Sequence, residues 1–156
     1  MSVVPRFHLG AFRTFEDPPV RGQAHMPAHH CCTHVVTLGL TRNKMPRWLS
    51  EGISVYEERQ EVPAWGQVMT PEYRELILED GATPVSKLSG AFLKPPSPMH
   101  LQFAYYESSM VVEYVVQKWG AGALGKVLED LGNDVAINDA LAKHTEPIEK
   151  LDAGFD

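Results

Sequence analysis

From residue 28 onward the apolar positions recur at helical spacing and are punctuated by caps, prolines and glycines, which predicts a chain of helices. The first predicted helix is Ala28–Leu40, where Pro27 and Ala28 suit a helix start and Val35, Val36, Leu38 and Leu40 supply apolar positions before a polar 41–44 loop. Met45-Pro46 restarts the chain, with proline where a first helical turn tolerates it. Trp48, Leu49, Ile53, Val55 and Tyr56 then give the second helix a buried stripe, and an exposed charged run over 57–61 ends it before Pro63. A third helix is expected over Pro71–Asp80, with Thr70 as N-cap, Glu72 in its first turn and Gly81 beyond its end.

A connection rich in Pro, Ser and Gly is expected next, through Pro84, Gly90, Pro95, Pro96 and Pro98. The strongest pattern spans 99–119, where Leu101, Phe103, Ala104, Met110, Val111, Tyr114 and Val115 predict a long helix closed by Gly120. Two shorter amphipathic helices follow, at about 122–131 and 134–144, and Thr145-Glu146-Pro147-Ile148 starts a last turn. Residues 1–27 behave differently: Pro5, Pro18, Pro19, Pro27, Gly10 and Gly22 break any sustained period. At most one or two short strands, around Val3-Val4 and within 7–15, are expected there, with loop over 12–27. The fold class read from this pattern is mainly α, with at most a small N-terminal β remnant.

Composition narrows the function classes. A chain of 156 residues, 44% hydrophobic and 22% charged, suits one packed domain. A formal net charge of −6, without a basic patch or a run of like charge, argues against a nucleic-acid partner. The first residues lack the continuous apolar core of a secretory signal, and no stretch has the length of a membrane-spanning helix, so the default expectation is the cytoplasm. Cys31 and Cys32 are the only cysteines and are adjacent, so they cannot tie distant parts of a fold together and imply no oxidising compartment.

The candidate chemistry lies in the first two helices. His30 and His34 are four residues apart, so a helix puts both imidazoles on one face. Glu51, on the second helix, can add a carboxylate, and two imidazoles with one carboxylate form a donor set for zinc that leaves a fourth position for water. The spacing alone is equally compatible with two surface or cap histidines. Cys31 and Cys32 also admit a cysteine-nucleophile reading with a histidine base, but no orienting Asn or Asp motif accompanies them. Cys32 reads more simply as a small apolar residue on the buried side of its helix. His25 and His29 can lend adventitious metal affinity to an approach segment, while His8, His100 and His144 read as surface or cap groups.

These segments resemble the gluzincin zinc peptidases, and among them the peptidase MA-like domains. His30-Cys31-Cys32-Thr33-His34 stands where the family has His-Glu-x-x-His, and Pro46-Arg47-Trp48-Leu49-Ser50-Glu51-Gly52 is similar to its Pro-x-Trp-Leu-x-Glu-Gly segment. Tyr106-Glu107-Ser108-Ser109 is similar to the Tyr-Glu-x-Gly segment of the zinc aminopeptidases. Val55, four residues after Glu51, stands where thermolysin-type enzymes carry an Asp, which favours the aminopeptidase-like branch. The resemblance implies a zincin-like helical domain over 28–156, Zn²⁺ held by His30, His34 and Glu51, hydrolysis of a peptide or protein substrate, and a hydrogen bond from Tyr106 to the reaction's oxyanion. It also implies a twisted sheet ahead of the histidine helix, for which residues 1–29 are too few, so the expectation is a domain truncated or altered on the substrate side.

The departure at position 31 bears on activity. The family's glutamate takes a proton from water and delivers it to the leaving amine. Cysteine is shorter, its ordinary pKa is about 8.5, and a metal nearby favours a coordinating thiolate over a proton shuttle. The resemblance thus implies a metallopeptidase-like domain impaired at Cys31; the alternative is a catalytically inactive metal-binding or protein-interaction pseudoenzyme.

Overall fold

A computed structural model describes residues 28–61 and 68–155, and the side chains among them except those of 28–33 and of Asp80. Expected strands and loop within residues 1–27 lie outside the described residues. The described chain contains α1 (Ala28–Leu40), α2 (Arg47–Glu61), α3 (Pro71–Asp80), a 3-10 turn (Val85–Lys87), α4 (Leu88–Leu93), α5 (Pro98–Trp119), α6 (Ala121–Gly132), α7 (Ile137–His144) and α8 (Ile148–Phe155). Among these residues there is no strand, and no helix is long and apolar enough to cross a membrane. The mainly α expectation holds.

The main core lies where α2 and α5 pack together. Trp48, Leu49 and Ile53 of α2 meet Ala104, Val111, Val112 and Val115 of α5, and Leu124, Val127, Leu128 and Leu131 of α6 extend the same cluster. Leu141 of α7 and Leu151 of α8 close its far end, at 1% and 0% exposure. A second, smaller cluster joins Tyr73 of α3 to Phe103 and Tyr106 on α5. The caps follow their sequence signals. Thr70 Oγ1 accepts a hydrogen bond from Tyr73 N at 3.2 Å, and Ser97 caps α5 in the same way through His100 N.

Four sequence expectations need correction. The expected connection after residue 81 contains the 3-10 turn and α4, because Val85, Leu88 and Phe92 are spaced to share one helical face and all three are buried in the main core. The last turn is the helix α8, anchored by Leu151. In α1, Val35, Val36 and Leu40 point outward, whereas Thr37 and Thr41 are buried; Thr41 Oγ1 donates to Thr37 O at 2.9 Å, so its burial leaves no donor unmatched. The 57–61 run is not wholly exposed either. Glu58 is buried, and Arg59 pairs with Glu113 of α5 at 2.8 Å while donating to Ser109 Oγ at 3.2 Å.

Glycine sets the closest helix approaches. A Cβ at Gly52 would sit 2.7 Å from the carbonyl oxygen of Ser108, so α2 and α5 are nearer there than any side chain permits. At Gly132 a Cβ would meet the Leu40 carbonyl oxygen at 2.7 Å, which brings the end of α6 against the end of α1. Gly52→Ala is expected to destabilise the protein by about 1–3 kcal/mol, the cost of overpacking a tight contact. Gly125→Ala, inside α6 with nothing within 4 Å, should be neutral or stabilising by up to about 1 kcal/mol. Denaturant midpoints of the two variants check this, and equal effects would dismiss the close-approach argument.

Candidate functional site

The site is built at the crossing of α1 and α2. On α2, residues 50, 51 and 54 are spaced so that Ser50, Glu51 and Ser54 share the side turned to α1. His34 of α1 meets all three. Its Nδ1 lies 2.7 Å from Ser50 Oγ, its Nε2 lies 3.3 Å from Ser54 Oγ, and the same Nε2 lies 3.5 Å from Glu51 Oε2. Ser54 is fully buried and also donates to Ser50 O at 3.1 Å. The imidazole and the carboxylate are mostly enclosed, with 23% and 16% of their side chains exposed.

The carboxylate has a second neighbour. Arg47, one turn earlier on α2, places Nε 3.5 Å from Glu51 Oε1 and donates from Nη2 to the Tyr105 hydroxyl at 2.8 Å. Its guanidinium lies over the Phe92 ring at 5.7 Å and over the Tyr105 ring at 6.0 Å. The Tyr105 hydroxyl, and to a lesser degree the Glu51 carboxylate, raise the Arg47 pKa further above its ordinary value, so the cation is permanent.

The sequence-predicted residues fall as follows. His34 and Glu51 are brought together. His30 and Cys31 are in helical backbone on α1, one turn and nearly one turn before His34, and their side chains, like those of His29 and Cys32, lie outside the described residues. Tyr106 is buried on α5, its ring 5.5 Å from Tyr73 and 6.4 Å from Phe103. The neighbouring Tyr105 is the tyrosine whose hydroxyl connects, through Arg47, to Glu51. His100 is a cap group, with Nδ1 2.8 Å from Ser97 Oγ, and His144 pairs with Asp130 at 2.8 Å. Ser50, Ser54 and Arg47 were missed by the sequence reading, although Arg47 and Ser54, at −4 and +3, have the spacing of helical neighbours of Glu51, and Ser50 has that spacing to Ser54.

Among the described residues no group of three or more His, Cys, Asp or Glu side chains is gathered to hold a metal. The converging pair is His34 Nε2 and Glu51 Oε2, an imidazole nitrogen and a carboxylate oxygen. The model of the Peptidase MA superfamily matches residues 23–149, more than half of the chain. No curated protein and no solved structure matches it.

Glu107, beside Tyr106, has a different task. It is buried, and its Oε1 accepts a hydrogen bond from Thr83 N at 2.7 Å, tying the segment after α3 to α5. Burial raises its pKa, and the Thr83 hydrogen bonds offset only part of that rise. The folded protein therefore holds this proton more tightly than the unfolded chain does. The resulting stability is fully present below the ordinary carboxylate pKa and is lost as pH rises through the raised folded value. Glu107→Gln keeps an acceptor for Thr83 and removes the charge, so its melting temperature should gain on the parent as pH rises from about 4 to 7. Parallel melting curves across that range would contradict the assignment.

Proposed function

The chain belongs to the Peptidase MA superfamily, and from that premise we propose that it carries a gluzincin-type metallopeptidase-like site binding Zn²⁺ through His30, His34 and Glu51, with hydrolysis impaired by Cys31. The observation that carries this reading is the 3.5 Å separation of His34 Nε2 and Glu51 Oε2. Two ligand atoms on a tetrahedral zinc, each at about 2.0–2.1 Å, lie about 3.3 Å apart. His34 and Glu51 are spaced for two places of that donor set. In the metal-holding tautomer His34 Nδ1–H donates to Ser50 Oγ, which fixes the ring and leaves the Nε2 lone pair on the Glu51 side. His30, one turn before His34 in α1, occupies the register position for the third ligand.

Bound zinc supplies Lewis-acid activation of a carbonyl and of water. The chain's own residues hold, orient and enclose. Ser50 fixes the imidazole through Nδ1, Arg47 neighbours the carboxylate, and Tyr106 inherits the oxyanion-donor role from its place in the Tyr-Glu segment. Proton transfer from water to a leaving amine falls to position 31, where a thiol replaces the family's carboxylate. Loss of a general base costs about 10²- to 10⁴-fold in rate. A peptide or protein is the substrate class, or the bound partner if turnover is absent.

The test measures metal and turnover separately. Zinc should be retained in stoichiometric amount, raise the melting temperature and be lost in Glu51→Ala and His34→Ala. Affinity should fall as pH drops through about 6.5, because a protonated imidazole cannot coordinate. An unstructured peptide should be cleaved weakly or not at all by the parent and by Cys31→Ala, and faster by Cys31→Glu; Cys31→Glu with Glu51→Ala should be inert. A melting temperature indifferent to zinc would overturn the metal reading. Strong zinc-dependent hydrolysis, undiminished in Cys31→Ala, would overturn the role given to position 31.

A further inference from the structure

Glu51 is held differently at its two oxygens. Oε2 faces His34 Nε2, and Oε1 faces Arg47 Nε, each at 3.5 Å. A solvent-facing ion pair one helical turn apart is too weak on its own to fix two side chains, and the Arg47 side chain is 57% exposed. Arg47, however, is not free to leave. Its Nη2 donates to the Tyr105 hydroxyl at 2.8 Å, and its planar group is flanked by the Phe92 and Tyr105 rings, which meet edge to face at 5.1 Å. Phe92 is buried in the main core. Residues from α2, α4 and α5 thus hold the guanidinium in one place, and Tyr105 is 58 positions from Arg47, so the fold itself supplies the clamp.

We propose that Arg47, clamped by Tyr105 and Phe92, is the positioning residue for Glu51: it engages Oε1 so that Oε2 is turned to His34 Nε2, and it thereby pre-organises the metal site. This rests on the zinc reading above. A fixed cation on one oxygen limits rotation of the carboxylate, so fewer conformations are lost when the other oxygen takes a ligand. The guanidinium's fork matters as well as its charge, since one edge serves Glu51 and a terminal nitrogen serves Tyr105. Lysine, a point charge, cannot make both contacts at once.

The experiment is a Zn²⁺ titration in competition with a chromophoric chelator, on the parent, Arg47→Met, Arg47→Lys, Tyr105→Phe and Glu51→Ala, with the metal-free melting temperature of each. Arg47→Met keeps a long unbranched side chain but removes the guanidinium, and should weaken zinc binding about 10- to 100-fold, the range for loss of a ligand's supporting partner. Its metal-free melting temperature should stay close to the parent's. Arg47→Lys should recover only part of the affinity. Tyr105→Phe keeps the ring and releases the guanidinium, so it should shift affinity in the same direction by less, and it decides the matter if Arg47→Met fails to fold. Parent-like zinc affinity in Arg47→Met, or in Tyr105→Phe should Arg47→Met not fold, with Glu51→Ala still abolishing binding, would overturn the positioning role and leave the metal reading standing. No zinc binding by the parent would overturn both.

Discussion

The close approach of α2 to α5 at Gly52 is the constraint on which the site depends. At about 100° per residue, positions 50, 54 and 51 span about 100° of the α2 circumference and Gly52 lies about 100° beyond Glu51, turned to a different neighbour. Because position 52 has no Cβ, the α2 backbone can reach the Ser108 carbonyl, where any side chain would stand 2.7 Å from that oxygen. With that face pinned to α5, the adjoining face carrying Ser50, Glu51 and Ser54 is turned to α1 at a fixed height. The Glu-Gly pair therefore joins two tasks in two residues: one supplies the carboxylate and the other sets where it stands.

Among the described residues, α1 meets α2 through the polar contacts of His34 with Ser50, Ser54 and Glu51, while its Leu38 packs against the main core. His34 bonds to Ser50, Thr41 satisfies its hydroxyl on Thr37, and the Leu40 carbonyl lies against Gly132 of α6. Hydroxyls and an imidazole in such an interface require partners at fixed distances, since each buried polar atom left unmatched costs about 1–3 kcal/mol. An apolar interface tolerates small slides more readily than one that must keep these hydrogen bonds. The same contacts that join α1 to α2 thus restrict the orientation of the His34 ring.

Much of this was legible in the sequence. The apolar stripe of Trp48, Leu49 and Ile53, the Thr70 cap and the long pattern ending at Gly120 each located a helix because local signal and burial agree there. α4 was hidden because Pro84, Gly90 and Pro95 read as breakers, although Val85, Leu88 and Phe92 already carried helical spacing; burial of those three outweighs the propensity cost of Gly90. Glu51 and His34 were legible as a pair from spacing and resemblance. The Tyr105 clamp was not, because residues 47 and 105 carry no local relation and only the packing of α2 against α5 makes them neighbours. The outward turn of Val35 and Val36 was illegible for a related reason: α1 is itself apolar on more than one side, so hydrophobic periodicity could not choose the buried face.

Under the proposed reading, such a site can lose proton transfer and keep metal binding. The spacing of His34 Nε2 and Glu51 Oε2 is set from positions 47, 50, 52 and 54 on α2 and from 105 and 108 on α5. On that reading, a thiol at position 31 in place of the family's carboxylate removes a proton acceptor, while the contacts made by positions 47, 50, 52 and 54 remain. Under the proposed reading, holding a metal and moving a proton rest on separate groups of residues. Most of the larger group, Ser50, Gly52, Ser54 and Ser108, is buried, where a change carries a stability cost, so under this reading metal binding is the property that the packing protects.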